Sequence, residues 1–161
     1  MIIVRRILSL VVVVALLAAS PTLAAQKRMA FVQPDGTLKV GQRIVRLYGI
    51  YIPPSNRICK TNFRPVRCGS RAVVALDLRV DRFVTCNEVT RNRDRSVNAV
   101  CWVKDRNDAL GPDVDLSAWM IYHGWAVALP GAPFEYYTLE RIAQAHHRGI
   151  WGFQVDSITA R

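Results

Sequence analysis

Cys86 and Cys101 stand at equal distances on either side of the Arg93–Asp94 bond, and no other feature of the sequence constrains the fold as tightly. The segments that carry them, Arg82 to Val89 and Val97 to Lys104, read as strands around Arg91-Asn92-Arg93-Asp94-Arg95. In a hairpin centred on that bond, residues whose numbers sum to 187 lie opposite, and the two cysteines do. Directly opposed Cβ atoms approach to ~4.5–5.5 Å, which a small adjustment brings into disulfide range. The same coincidence therefore supports the hairpin and the bridge.

Cys59 and Cys68 make the set even. Four cysteines allow three connectivities, and 59–68 with 86–101 closes the shortest loops. There is no Cys-x-x-Cys, and His123, His146 and His147 lie far downstream, so two disulfides in an oxidising compartment are expected rather than zinc. The amino terminus points the same way. Of its first 24 residues 18 are apolar, Arg5 and Arg6 precede the run, and Ser20-Pro21-Thr22-Leu23-Ala24 closes it. A charged start, a greasy middle and a small-residue exit describe a secretory leader over residues 1–24. Kept instead of cleaved, the uncharged run Ile7–Ala25 would approach the ~20 residues of a membrane span. With the leader removed, no stable membrane insertion is expected, and the product is a secreted or periplasmic monomer.

The whole chain has 161 residues and a formal charge of +10; without the leader, 137 residues and +8 remain. That suits one domain, residues 25–161, and excludes disordered, fibrous and multi-pass membrane classes. Arginine supplies 18 of the 22 basic residues, and its planar fork suits phosphate, sulfate and carboxylate.

Along the mature chain, Arg28–Val32 and Thr37–Val40 flank the turn Pro34-Asp35-Gly36. Gln42–Ile52 reads as a third strand and Gly69–Asp81 as a helix with Ala72, Val73, Leu76 and Val80 along one face. After the hairpin come helices over Leu116–Trp125 and Pro133–Gly149, the second with Leu139, Ile142, Ala143 and His146 along one side. Five strands with a helix between the third and fourth, and about three helices in all, are what a five-stranded OB-fold barrel of α+β class needs. Trp102, Trp119, Trp125 and Trp151 are expected as packing anchors, and His146-His147 lacks partners at ligand spacing.

Val45-Arg46-Leu47-Tyr48-Gly49-Ile50 with Pro53 resembles the Val-Arg-Leu-x-Gly-Ile-Asp-Ala-Pro-Glu stretch of staphylococcal-nuclease-like (thermonuclease) domains. Asp35-Gly36-Thr37 falls where that family carries Asp-Gly-Asp-Thr, and Arg95 where its Asp-x-Tyr-Gly-Arg motif ends. Asp115-Leu116, Trp119-Met120 and Gly124-Trp125-Ala126 resemble its Gly-Trp-Ala block, and Tyr136, Glu140, Ala143 and Gly149-Ile150-Trp151 its last helix. The resemblance spans roughly Phe31 to Trp151 and agrees with the exported, four-cysteine members. It implies an OB barrel that binds nucleic acid and Ca2+, two aspartates holding the metal, a glutamate assisting water and two arginines stabilising the phosphorane-like transition state.

Aligned without a gap, the two metal aspartates fall on Gly36 and Tyr51 and the base on Pro54, while Arg46 and Arg95 are retained. Asp35 lies one residue from the first position, and Arg93 replaces the motif's aromatic. The expectation is a catalytically impaired domain without cofactor. Its arginine-lined groove, built on Arg46 and Arg95 with Asp35, Tyr51 and Arg93, would hold single-stranded DNA, RNA or acidic polysaccharide. Tyr51 would be an exposed stacking aromatic. The alternative is a Ca2+-dependent nuclease rebuilt around Asp35, Arg46 and Arg95.

Overall fold

The computed structural model describes residues 26–60, 64–105, 107–108 and 110–153; the leader expected over residues 1–24 lies outside them. Five strands, β1 (Arg28–Val32), β2 (Leu38–Val40), β3 (Arg43–Leu47), β5 (Phe83–Arg91) and β6 (Val97–Val103), form a closed barrel. β1 pairs antiparallel with β2 and β5, β2 with β3, and β5 with β6; the parallel pairing of β3 with β6 closes the ring, and a short β7 (Val114–Asp115) pairs with the end of β6. The helix α1 (Cys68–Val80) lies between the third and fourth barrel strands, so the architecture is the expected OB-like α+β class.

Period-two alternation puts one face of each strand inside. In β6, Val97, Ala99, Cys101 and Val103 are buried while the residues between them are half-buried. Ala72, Leu76 and Val80, spaced four apart on α1, join Leu38, Val45, Leu47 and Val84 in one core. That core also takes Leu116, Met120 and Ile121 of α2 (Leu116–Tyr122) and Tyr136 of α3 (Phe134–Ala145). Among the described residues no helix is long and apolar enough to cross a membrane.

Both expected disulfides are present, Cys59–Cys68 and Cys86–Cys101. They belong to a chain that matures in an oxidising compartment. The hairpin register is less simple than a symmetric turn. Residues from Thr85↔Trp102 to Glu88↔Ala99 obey the sum of 187, but Thr90↔Asn98 and Arg91↔Val97 are one residue off. The turn is centred on Asp94, and a bulge between Glu88 and Thr90 shifts the ladder back so that the cysteines meet.

Three element boundaries also differ. The expected third strand Gln42–Ile52 is two strands, β3 and β4 (Ile50–Tyr51), because the chain turns at Tyr48-Gly49 and leaves the barrel to pair with β8 (Val127–Ala128). The helix expected to Trp125 stops at Tyr122. The helix expected to Gly149 ends at Ala145 with a 3-10 turn over Gly149–Phe153, so His146 is exposed beyond the helix, and Tyr136 and Ala143 are the side chains that α3 buries.

Candidate functional site

A cleft of about 460 Å³ opens where the β1–β2 turn, the β3–β4 corner and the loop before α3 converge. Asp35, Gly36, Thr37, Arg46, Tyr48 and Tyr51 line one side with Pro54 and Asn98, and Leu129 to Ala132 the other. Gly36, Tyr51 and Pro54, distant in sequence, thus share one cleft with Asp35 and Arg46. Arg93 and Arg95 are exposed on the neighbouring β5–β6 turn and do not line it.

Two turns of the same construction frame the cleft. In Gln33–Thr37, Gln33 N–H donates to Thr37 O (2.8 Å) and Gly36 N–H to Gln33 O (2.9 Å); in Asn92–Ser96, Asn92 N–H donates to Ser96 O (2.8 Å) and Arg95 N–H to Asn92 O (3.2 Å). Each aspartate caps its turn: Asp35 Oδ1 accepts from Thr37 N (3.0 Å) and Thr37 Oγ1 (2.7 Å), and Asp94 Oδ1 from Ser96 N (3.0 Å) and Ser96 Oγ (2.6 Å). The fourth residue of each turn is left-handed, Gly36 at φ 80° and Arg95 at φ 66°. Glycine occupies that conformation without steric cost; arginine does not.

The parallel pairing of β3 with β6 sets Arg46 opposite Asn98 and within reach of the second turn. Arg46 Nε donates to Ser96 Oγ (3.3 Å), and one terminal nitrogen meets Asp94 Oδ2 at 3.2 Å, with the Arg46 side chain still 50% exposed. The hydroxyl and amide of Ser96, and Arg46 beyond them, hold the Asp94 carboxyl below its ordinary range. Arg46 is therefore oriented at the rim with part of its fork turned to solvent.

The far wall depends on contacts for which the sequence carries no local signal. Tyr137 Oη donates to Leu129 O (2.7 Å), Glu140 Oε2 accepts from Ala128 N (2.9 Å), and Leu129 N–H donates to Gly49 O (2.9 Å). Behind it, Tyr136 Oη donates to Asp115 Oδ2 (2.7 Å), while Asp115 Oδ1 caps α2 through Ser117 N and Ala118 N. Burial, with Asp115 next, pushes the Tyr136 phenol well above its ordinary ionisation range. A Cβ on Gly49 (φ 73°) would come within 3.2 Å of Ala132, Pro133 and Tyr136, so the corner needs glycine to bring the wall this close.

Tyr51 is less exposed than expected. Paired with Val127 and packed on the small cluster of Cys59, Cys68, Val127 and Ile150, it is half-buried, yet it still lines the cleft. The donor set does not fit Ca2+, which takes six to eight oxygens. Asp35 is the one carboxylate on the cleft, and its Oδ1 already accepts both Thr37 bonds. Gly36 offers no side chain, and a Cβ there would meet Ile52 at 2.9 Å. Among the described residues no group of three or more His, Cys, Asp or Glu is placed to hold a metal.

The fold and cleft together define a class: an OB-type barrel with a cationic rim and no carboxylate cluster. Neither a protein-family model nor a curated protein matches this chain.

Proposed function

We propose that this chain is an exported, non-catalytic relative of the staphylococcal-nuclease-like domains, and that its cleft holds an anionic polymer. The observation that carries this is Arg46: a guanidinium fixed by Ser96 and Asp94, half exposed at the rim of a cleft whose family carboxylate positions hold Gly36, Tyr51 and Pro54. Arginine in this setting offers a directed fork to phosphate or carboxylate. The exposed turn beside it adds Arg93 and Arg95, neither with an ion-pair partner among the described residues. Arg95 keeps its cation in a left-handed conformation where glycine would cost nothing, and a strained non-glycine at a site of this kind points to function. The leader and the two disulfides support a secreted or periplasmic location.

The ligand is single-stranded DNA, RNA or an acidic polysaccharide, and anisotropy with labelled oligo(dT), oligo(U) and alginate distinguishes them. Binding is expected to be unaffected by chelator and to weaken about tenfold in Arg46→Ala, the loss of one charge-assisted contact of roughly 1.5 kcal/mol. Cleavage of the oligonucleotides that disappears with chelator and in Arg46→Ala would overturn this reading in favour of a Ca2+-dependent nuclease.

A further inference from the structure

The barrel carries a second surface, which begins two residues along β3 from Arg46 and has chemistry of its own. Pairing register places Met29 of β1 directly opposite Phe83 of β5, and aligns Phe31, Lys39 and Ile44 in one row across β1, β2 and β3. All four apolar members are exposed: Met29 47%, Phe31 56%, Phe83 43% and Ile44 36%. The surface is also basic. Lys27 Nζ lies 5.5 Å from the Phe83 ring centroid, and Lys39 stands between Phe31 and Ile44. The nearest acid on β5, Glu88, is already paired with Arg43 and Arg91.

We infer that this outer face of β1, β2, β3 and β5 rests on an anionic lipid surface. Apolar side chains entering the headgroup boundary, flanked by lysines that meet anionic lipids, are the two components of interfacial binding. The chain outside the described residues supplies the location. Nineteen uncharged residues, Ile7 to Ala25, end three residues before Arg28 begins β1. A chain still carrying that run is tethered to a bilayer within about 10 Å of this face, the reach of three extended residues. A second copy fits worse, because Lys27 and Lys39 would confront their own counterparts. Arg46 and the cleft take no part, so this inference stands or falls independently of the polymer reading.

Hydroxyl-radical footprinting of the full chain reads the face directly, since Met29, Phe31 and Phe83 are all oxidisable. With vesicles of phosphatidylethanolamine and phosphatidylglycerol, their oxidation is expected to slow about fivefold or more, while Phe134, exposed on α3, oxidises as before. Phosphatidylcholine vesicles, and Lys39→Glu on the anionic ones, should abolish the protection. Three results would overturn the inference: no protection on anionic vesicles, lipid-free protection that grows with protein concentration, or equal protection by oligo(dT) alone. The second would mean that another copy covers the face, and the third a polymer.

Discussion

Gly36 and Arg95 occupy the same slot in two identically bonded turns, one lining the cleft and the other exposed beside it. At Gly36 a side chain has neither the backbone conformation nor the room, because Ile52 lies where its Cβ would go. Placing a carboxylate there by Gly36→Asp is therefore expected to destabilise the fold by about 2 kcal/mol or more. A urea titration would measure that loss, and calorimetry should detect no gain in Ca2+ binding. At Arg95 the same left-handed backbone is filled by a cation. Arg95→Gly should raise stability by about 1 kcal/mol and weaken oligo(dT) binding at the same time. A variant that gains stability and keeps full affinity would remove Arg95 from the binding surface. Arg46 was visible in sequence as part of the Val45–Ile50 stretch that resembles a nuclease motif. Its setting was not, because Ser96 and Asp94 reach it only through the parallel strand pairing.

Among elements, the β5–β6 hairpin carries the covalent constraint. The Cys86–Cys101 bridge closes a loop of 15 residues, and the corresponding loss of unfolded-state entropy is worth about 3 kcal/mol. The double variant Cys86→Ala/Cys101→Ala should lose about that much, read as a lower denaturant midpoint. Its register was legible in the residue numbers only because two unseen details cancel: a turn centred on Asp94 and a bulge that moves the ladder back by one. The α2–α3 junction was legible in parts but not as a contact. Asp115 was noticed as a motif residue and Tyr136 as another, yet their hydrogen bond joins residues 21 apart in sequence. Because folding raises the Tyr136 pKa above its ordinary value of 10.0, the stability it contributes is complete below about pH 10. It is then lost as pH rises towards the folded-state value. Melts at increasing alkalinity should show that decline in the parent protein and a shallower one in Tyr136→Phe, even though Tyr136→Phe is less stable at neutral pH by about 1 kcal/mol for the lost bond.

At the scale of the whole molecule, the +10 charge and the cleft make distinct contributions that salt separates. Diffuse charge attracts any polyanion, whereas each defined phosphate contact on a single strand adds ~0.7 to the slope of log affinity against log salt. Arg46→Ala and Arg95→Gly should each flatten that slope by about one such contact in a titration with oligo(dT). Arg141→Ala, on the exposed surface of α3, should leave it nearly unchanged. Equal slopes in all three would assign binding to net charge alone.

The sequence by itself determined the barrel strands, the connecting helix, both disulfides and the side chains present at Gly36, Tyr51 and Pro54. These depend on periodicity, on turn residues and on which side chain occupies a position, all of which are local. Only the tertiary structure decided that Gly36, Tyr51 and Pro54 share a cleft with Arg46, and that Tyr51 is half-buried against β8 while still lining that cleft. It also decided that Asp35 serves its own turn. Those outcomes rest on a parallel pairing between residues about fifty apart, a two-residue strand pair outside the barrel, and packing on a wall held by α3. No local pattern carries such information, because each contact exists only once the ring of strands has closed.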